Sequence, residues 1–114
     1  MHELGIVMNV IKQVEQVATE NGVKQVCRLS MEVGEVSSVV PELFQDCFEW
    51  AKKKTAYLKE AELELVILEG ISYCRDCKRT YPTTAYARQC PNCGSGNTYL
   101  VTGNEINIKQ IQVV

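Results

Sequence analysis

Four cysteines in two C-x-x-C pairs, Cys74 with Cys77 and Cys90 with Cys93, limit what this chain can become more than any other feature. Twelve residues separate the pairs. Each C-x-x-C turn aims two thiolates at one point, and two such turns build the tetrahedral four-sulfur cage that zinc accepts without redox change. Residues 70–103 carry both pairs and are too few to bury a core of their own, whereas zinc binding contributes on the order of 10 kcal/mol or more. The metal then stands in for the missing core. Two other readings of the four thiols are a pair of disulfides and iron in a rubredoxin-like cage. A closed four-sulfur site leaves no position for water or substrate, which argues for scaffolding and against zinc catalysis. Gly94 follows the second pair where the chain has to turn tightly. The remaining cysteines, Cys27 and Cys47, fall on apolar faces of a strand and a helix and are expected to pack in the core.

At 114 residues the chain has room for one domain with a core and one small module besides. Leu4, Val7, Met8, Ile11, Val14 and Ala18 recur at helical spacing until Asn21 and Gly22 supply a stop. Cys27, Leu29, Met31 and Val33 alternate with polar residues, the period of a strand buried on one face, and Gly34 ends or bends it. Pro41 suits a first helical turn, and Leu43, Phe44, Cys47, Phe48 and Ala51 form the apolar face of a second helix. Leu63, Leu65 and Ile67 give a second strand, stopping near Gly70. Two strands alone are marginal. The C-terminus supplies a third, in which Ile106 and Ile108 share one phase and Ile111 and Val113 the other, so that a bulge near Lys109 and Gln110 returns all four to the core face. The expected fold is α+β, two helices packed on a three-stranded sheet with an inserted four-cysteine zinc ribbon. Its domains are residues 1–69 with 104–114, a discontinuous α+β domain, and the ribbon at 70–103.

Twelve lysines and arginines against 14 aspartates and glutamates give a net charge of −2, so no global positive field draws the chain to nucleic acid or anionic lipid. The ribbon is locally basic, with Arg75, Lys78, Arg79 and Arg88 against Asp76. An interaction module for nucleic acid, using those residues and Tyr86, is therefore the main rival reading, and an iron-bearing electron carrier is another. Enzyme chemistry finds no Ser/His/Asp set, no phosphate-cradling loop and no open zinc site. The N-terminus lacks the pattern of a signal peptide, and no 18-residue apolar run follows, so a cytoplasmic protein with no membrane span is expected.

His2 is the only histidine. A free α-amine, the His2 amide nitrogen and the His2 imidazole form consecutive five- and six-membered chelate rings, a nitrogen set suited to square-planar Ni(II) or Cu(II). The Glu3 amide or its carboxylate could complete the set, and a bulky second residue should leave Met1 in place. The start Met1-His2-Glu3-Leu4, the strand ending in Val33-Gly34-Glu35, the doubled C-x-x-C and the late Gly103-Asn104-Glu105 together resemble the HypA/HybF family of hydrogenase nickel-incorporation proteins. The resemblance runs over essentially the whole chain. It implies a nickel metallochaperone for NiFe-hydrogenase maturation, not an enzyme, working with the GTPase HypB and the hydrogenase large subunit. It also carries His2 over as a nickel ligand, with Met1 and Glu3 assisting through main-chain atoms, and Cys74, Cys77, Cys90 and Cys93 as zinc ligands.

Overall fold

A computed structural model describes residues 2–114. The chain runs α1 (His2–Glu20), β1 (Val26–Gly34), α2 (Pro41–Lys52), β2 (Glu62–Leu68), β3 (Ile71–Cys74), β4 (Thr80–Pro82), α3 (Thr83–Tyr86), β5 (Thr98–Thr102) and β6 (Ile106–Val113). It is an α+β fold with two three-stranded sheets, ordered β2-β1-β6 and β4-β3-β5. It divides into one unit of Met1–Glu32, Val39–Val66 and Asn107–Val114 and another of Val33–Ser38 and Ile67–Ile106. No helix among the described residues is long and apolar enough to cross a membrane.

In the first unit, α1 buries Val7, Val10, Ile11, Val14 and Ala18 along one stripe that packs on α2. Gly22, at φ 62°, reverses the chain after the helix, and the Val23 N–H closes the end on the Ala18 carbonyl at 3.0 Å. Met8 is a correction to the expected stripe: it is exposed, and Val10, one turn on from Val7, is buried instead. The stripe instead starts with an acid, because Glu3 is 3% exposed one turn before Val7. Pro41 opens α2, which buries Phe44, Cys47, Phe48 and Ala51. With Leu29, Met31 and Leu58 these side chains make the core of this unit.

Arg28 donates to Glu62 at 3.2 Å and Ser30 to Glu64 at 2.8 Å, so the partners advance together along β1 and β2, as in a parallel pair. Such a pair needs a crossover, which α2 supplies. At the start of β1, the Lys24 N–H donates to Val114 and the Val114 N–H to Gln25, the opposite sense, with β6 running back along β1.

Three apolar positions differ from the strand readings. Cys27 is exposed, because Val26 enters the core at the start of β1, three residues before Leu29, and its N–H donates to the Tyr57 carbonyl. A two-residue period carried back from Leu29 misses this change of phase. Ile67 is exposed too, the half-buried positions of β2 shifting from Leu63 and Leu65 to Val66 and Leu68. In β6, Ile106, Ile108 and Ile111 are half-buried, so the phase does change between Ile108 and Ile111, but Val113 is 49% exposed.

The second unit joins its strand ends through backbone rather than side chains. A Cβ on Gly34 would collide with the Gly103 carbonyl, and one on Gly103, at φ 113°, with Gly70. Only glycine allows three backbones this close. Two carboxylates fasten the same place: Glu35 accepts the Gly70 N–H at 2.9 Å, while Glu105 accepts the Gly103 N–H and the Thr102 hydroxyl, each at 2.7 Å.

Candidate metal centres

The two C-x-x-C turns are built alike. The Lys78 N–H donates to the Cys74 carbonyl at 2.9 Å, and the Gly94 N–H to the Cys90 carbonyl at 2.8 Å. Each turn ends on a left-handed residue, Lys78 at φ 60° and Gly94 at φ 73°. Glycine meets that requirement freely and lysine at a cost. Cys74 comes from the end of β3, with strand neighbours β4 and β5 in antiparallel register on either side. Asp76 ties the turns together by accepting from the Ser95 hydroxyl and the Asn97 side-chain amide, and the Arg75 N–H donates to the Asn97 carbonyl at 3.0 Å.

These turns bring all four Sγ atoms within 4.8 Å of one another. Cys74 and Cys93 lie 3.6 Å apart and Cys77 and Cys90 3.5 Å, and all four thiols are free. That excludes disulfides in this arrangement, since a bonded pair sits at about 2.05 Å. A tetrahedral cage with metal–sulfur bonds of about 2.3 Å has sulfur–sulfur edges of roughly 3.8 Å, so the set fits a single ion. Cys74 and Cys90 are buried against Tyr81, whose hydroxyl donates to the Ala87 carbonyl at 2.8 Å.

The thiols are not equivalent. Burial pushes Cys77 up to about 12, and its hydrogen bond with Cys90 adds to the rise. Cys90 is desolvated too, yet the amides of Cys93 and Asn92 donate to it and hold it down at about 6. A metal ion is bound by thiolates, so whatever protons the four sulfurs carry leave when it enters.

At the other candidate centre, Met1 lies outside the described residues. His2 begins α1 with its side chain 55% exposed. Its Nε2 lies 3.6 Å from Glu3 Oε2, on a side chain only 4% exposed. The same carboxylate oxygen accepts the Val40 N–H at the entry to α2, at 3.3 Å. The Glu3 backbone N–H does most to hold that carboxyl below its ordinary range, the Val40 N–H and His2 add to it, and burial opposes them. His2 and the four cysteines fall in different units, His2 in the first and the cysteines in the second.

A family model described as hydrogenase/urease nickel incorporation, metallochaperone, hypA matches residues 1–113. The chain belongs to the HypA family. Among HypA maturation factors, that of Geotalea uraniireducens is 32% identical over 114 residues, covering 99% of each chain. That of Trichormus variabilis is 36% identical over 113 residues, covering 99% of this chain and 96% of its own. The solution structure of the Ni metallochaperone HypA from Helicobacter pylori matches with a TM-score of 0.73 at 27% identity, covering 100% of this chain and 98% of that one. The family's work is nickel incorporation for hydrogenase maturation, by a metallochaperone rather than an enzyme. In this HypA chain the four-cysteine site is a metal site by geometry as well as by spacing.

Sequence reasoning missed two parts of these centres. Asp76 inside the first C-x-x-C was legible as a candidate tie, since a short carboxylate there reaches backbone and hydroxyl donors of the facing turn. The burial of Glu3 carried no such signal, because an acid in the first turn of a helix is ordinarily an exposed partner of the helix dipole.

Proposed function

We propose that this chain binds Ni(II) at its amino terminus, through the Met1 amine, the His2 amide and imidazole and the Glu3 main chain, and delivers it during maturation of NiFe-hydrogenase. The single observation that carries the reading is the setting of His2: the only histidine of the chain, more than half exposed, on the first turn of a helix. The first four N–H groups of a helix have no intrahelical acceptor, so a metal can take the His2 amide nitrogen without breaking the helix ladder. A six-membered ring from that nitrogen closes through Nδ1. The Glu3 carboxylate faces Nε2 instead, which orients the ring and leaves Nδ1 for the metal. The Glu3 carboxylate itself is taken up by the Val40 N–H, which favours a main-chain role for this residue at the nickel.

Exposure suits a carrier, because an acceptor's ligands must reach the metal before the donor's leave. Amine, amide and imidazole all shed protons to bind, so acid releases the cargo. In this reading Cys74, Cys77, Cys90 and Cys93 hold a structural Zn2+, which supplies the folding energy that residues 70–103 lack. The ribbon at 70–103 serves as a rigid module, and residues 1–69 with 104–114 form the nickel-binding domain. The expected partners are a HypB-type GTPase and the hydrogenase large subunit, met in the cytoplasm, with neither nucleic acid nor membrane involved.

The test is calorimetric nickel titration of tag-free, zinc-loaded protein, comparing the native chain with His2→Ala and with a Gly-Ser extension ahead of Met1. A saturable site lost in both variants is expected. Unchanged nickel binding in both overturns the amino-terminal site.

A further inference from the structure

A cavity of about 470 Å³ opens within the second unit, between the start of α3 and the edge strand β5. Its volume is in the range of ligand-binding sites. Val36, Ala87, Tyr99 and Leu100 give it apolar walls, while Ser72 and Thr83 put two hydroxyls on its surface, 2.7 Å apart. One of those hydroxyls donates to the other, so the pair uses one proton and keeps a second for an incoming acceptor. Ser72 is 3% exposed, which shields that donor from water.

Arg88 lines the same cavity. It follows Ala87, a non-glycine residue at φ 53° and ψ −117°, held there by its N–H to the Thr83 carbonyl and by the Tyr81 hydroxyl on its own carbonyl. Backbone strain of this kind persists where the surrounding structure imposes it, and it concentrates at binding sites.

The charges around the cavity are lopsided. No acid among the described residues lines the cavity, and three of the four in this unit are engaged internally: Asp76 with Ser95 and Asn97, Glu35 with the Gly70 N–H, Glu105 with Thr102 and Gly103. Among the described residues, no carboxylate pairs with Arg75, Lys78, Arg79 or Arg88, and Arg75 rests over the Tyr99 ring at 4.7 Å. Nucleic acid needs several cations along its backbone, and among the described residues Arg88 is the one cation that lines this cavity.

We propose that this cavity is a docking socket for an extended acidic segment of a protein partner, taking an apolar side chain between Ala87 and Leu100 and the adjacent carboxylate on Arg88 and the spare hydroxyl of the Ser72–Thr83 pair. The inference deepens the reading of the chain as a carrier by adding a place where it grips an acceptor or accessory protein. Carboxylate binding by arginine with a neutral hydroxyl is a charge-assisted arrangement, and the apolar walls select for what lies beside the charge.

The experiment is a nitrogen-15 NMR titration of the full zinc-loaded chain with a capped hexapeptide of alternating leucine and glutamate. Its controls are the leucine-lysine peptide and a single-stranded RNA hexamer. Saturable shifts confined to the amides of Ser72, Thr83, Ala87, Arg88 and Leu100, absent with the lysine peptide and about tenfold weaker in Arg88→Ala, are expected, the loss matching one charge-assisted hydrogen bond. Arg88 is exposed, so the variant keeps its fold, and a Leu100→Ser variant tests the apolar wall separately. No saturation, equal binding of the lysine peptide, or tighter binding of the RNA at the same amides overturns the proposal. Nickel titration of Arg88→Ala reads His2 and is expected unchanged, so this inference and the nickel reading fail independently.

Discussion

Glu3 shows how much one side chain does beyond what its type suggests. Its carboxylate is closed from solvent, accepts the Val40 N–H and lies beside the His2 ring. Because its folded pKa is depressed, it adds stability that is present above the ordinary value of 4.5 and is lost as pH falls through the lowered folded value. Glu3→Gln keeps an acceptor for Val40 and removes the titration. Urea midpoints measured between pH 3 and 7 are therefore expected to fall less steeply with acid in Glu3→Gln than in the native chain. An identical acid limb in both would show that this carboxyl contributes nothing to it. Gly34 makes the complementary case, that of a side chain that has to be missing. Gly34→Ala sets a Cβ against the Gly103 backbone, which cannot swing aside as a flexible side chain would. The expected loss is about 1–3 kcal/mol, the usual range for overpacking, read from chemical denaturation.

Among the elements, the helices were legible because their stripes extend over several turns, and the strands were legible in their middles but not at their ends. The corrections at Cys27, Ile67 and Val113 sit at or near strand termini, where a neighbouring segment decides which residue is covered. The ribbon was legible only as cysteine spacing. Its strands β3, β4 and β5 are short and carry little periodicity, and they hold together through Tyr81, Cys74 and Cys90. Removing the metal with a chelator is therefore expected to expose the β3 and β5 amides to hydrogen exchange, and Cys90→Ser to do the same without chelator. Retained protection in both would show that the ribbon folds without metal. In the helical layer, Phe44→Ala removes a fully buried ring and is expected to cost about 3–5 kcal/mol in urea denaturation, with a smaller loss if the space left behind collapses.

On the scale of the whole molecule, acid acts on both the fold and the proposed cargo. Glu3, Asp76 and Glu105 all titrate below their ordinary values, Asp76 through Ser95 and Asn97 and Glu105 through Thr102 and backbone amides. All three carry the same sign, so their contribution is complete at neutral pH and erodes only below the ordinary carboxylate values. Nickel bound through deprotonated nitrogens should leave at higher pH than that. Nickel occupancy and far-UV circular dichroism followed together down a pH series are expected to show release first and unfolding later. Unfolding before release would mean that the metal is held by something other than an amine, amide and imidazole set.

By itself the sequence determined the four-sulfur cage, the two amphipathic helices, the three-strand count and the family, because chelate spacing, helical period and strand alternation are short-range properties that neighbouring residues carry together. The assembled fold set the rest: that Glu3 accepts the Val40 N–H at the entry to α2, that Val26 rather than Cys27 is buried, that three glycines meet, and that Arg88 shares a cavity with Ser72 and Thr83. In each of these cases the outcome rests on a partner distant in sequence. Burial and hydrogen bonding belong to pairs of segments, and a single segment read alone holds only half of each pair.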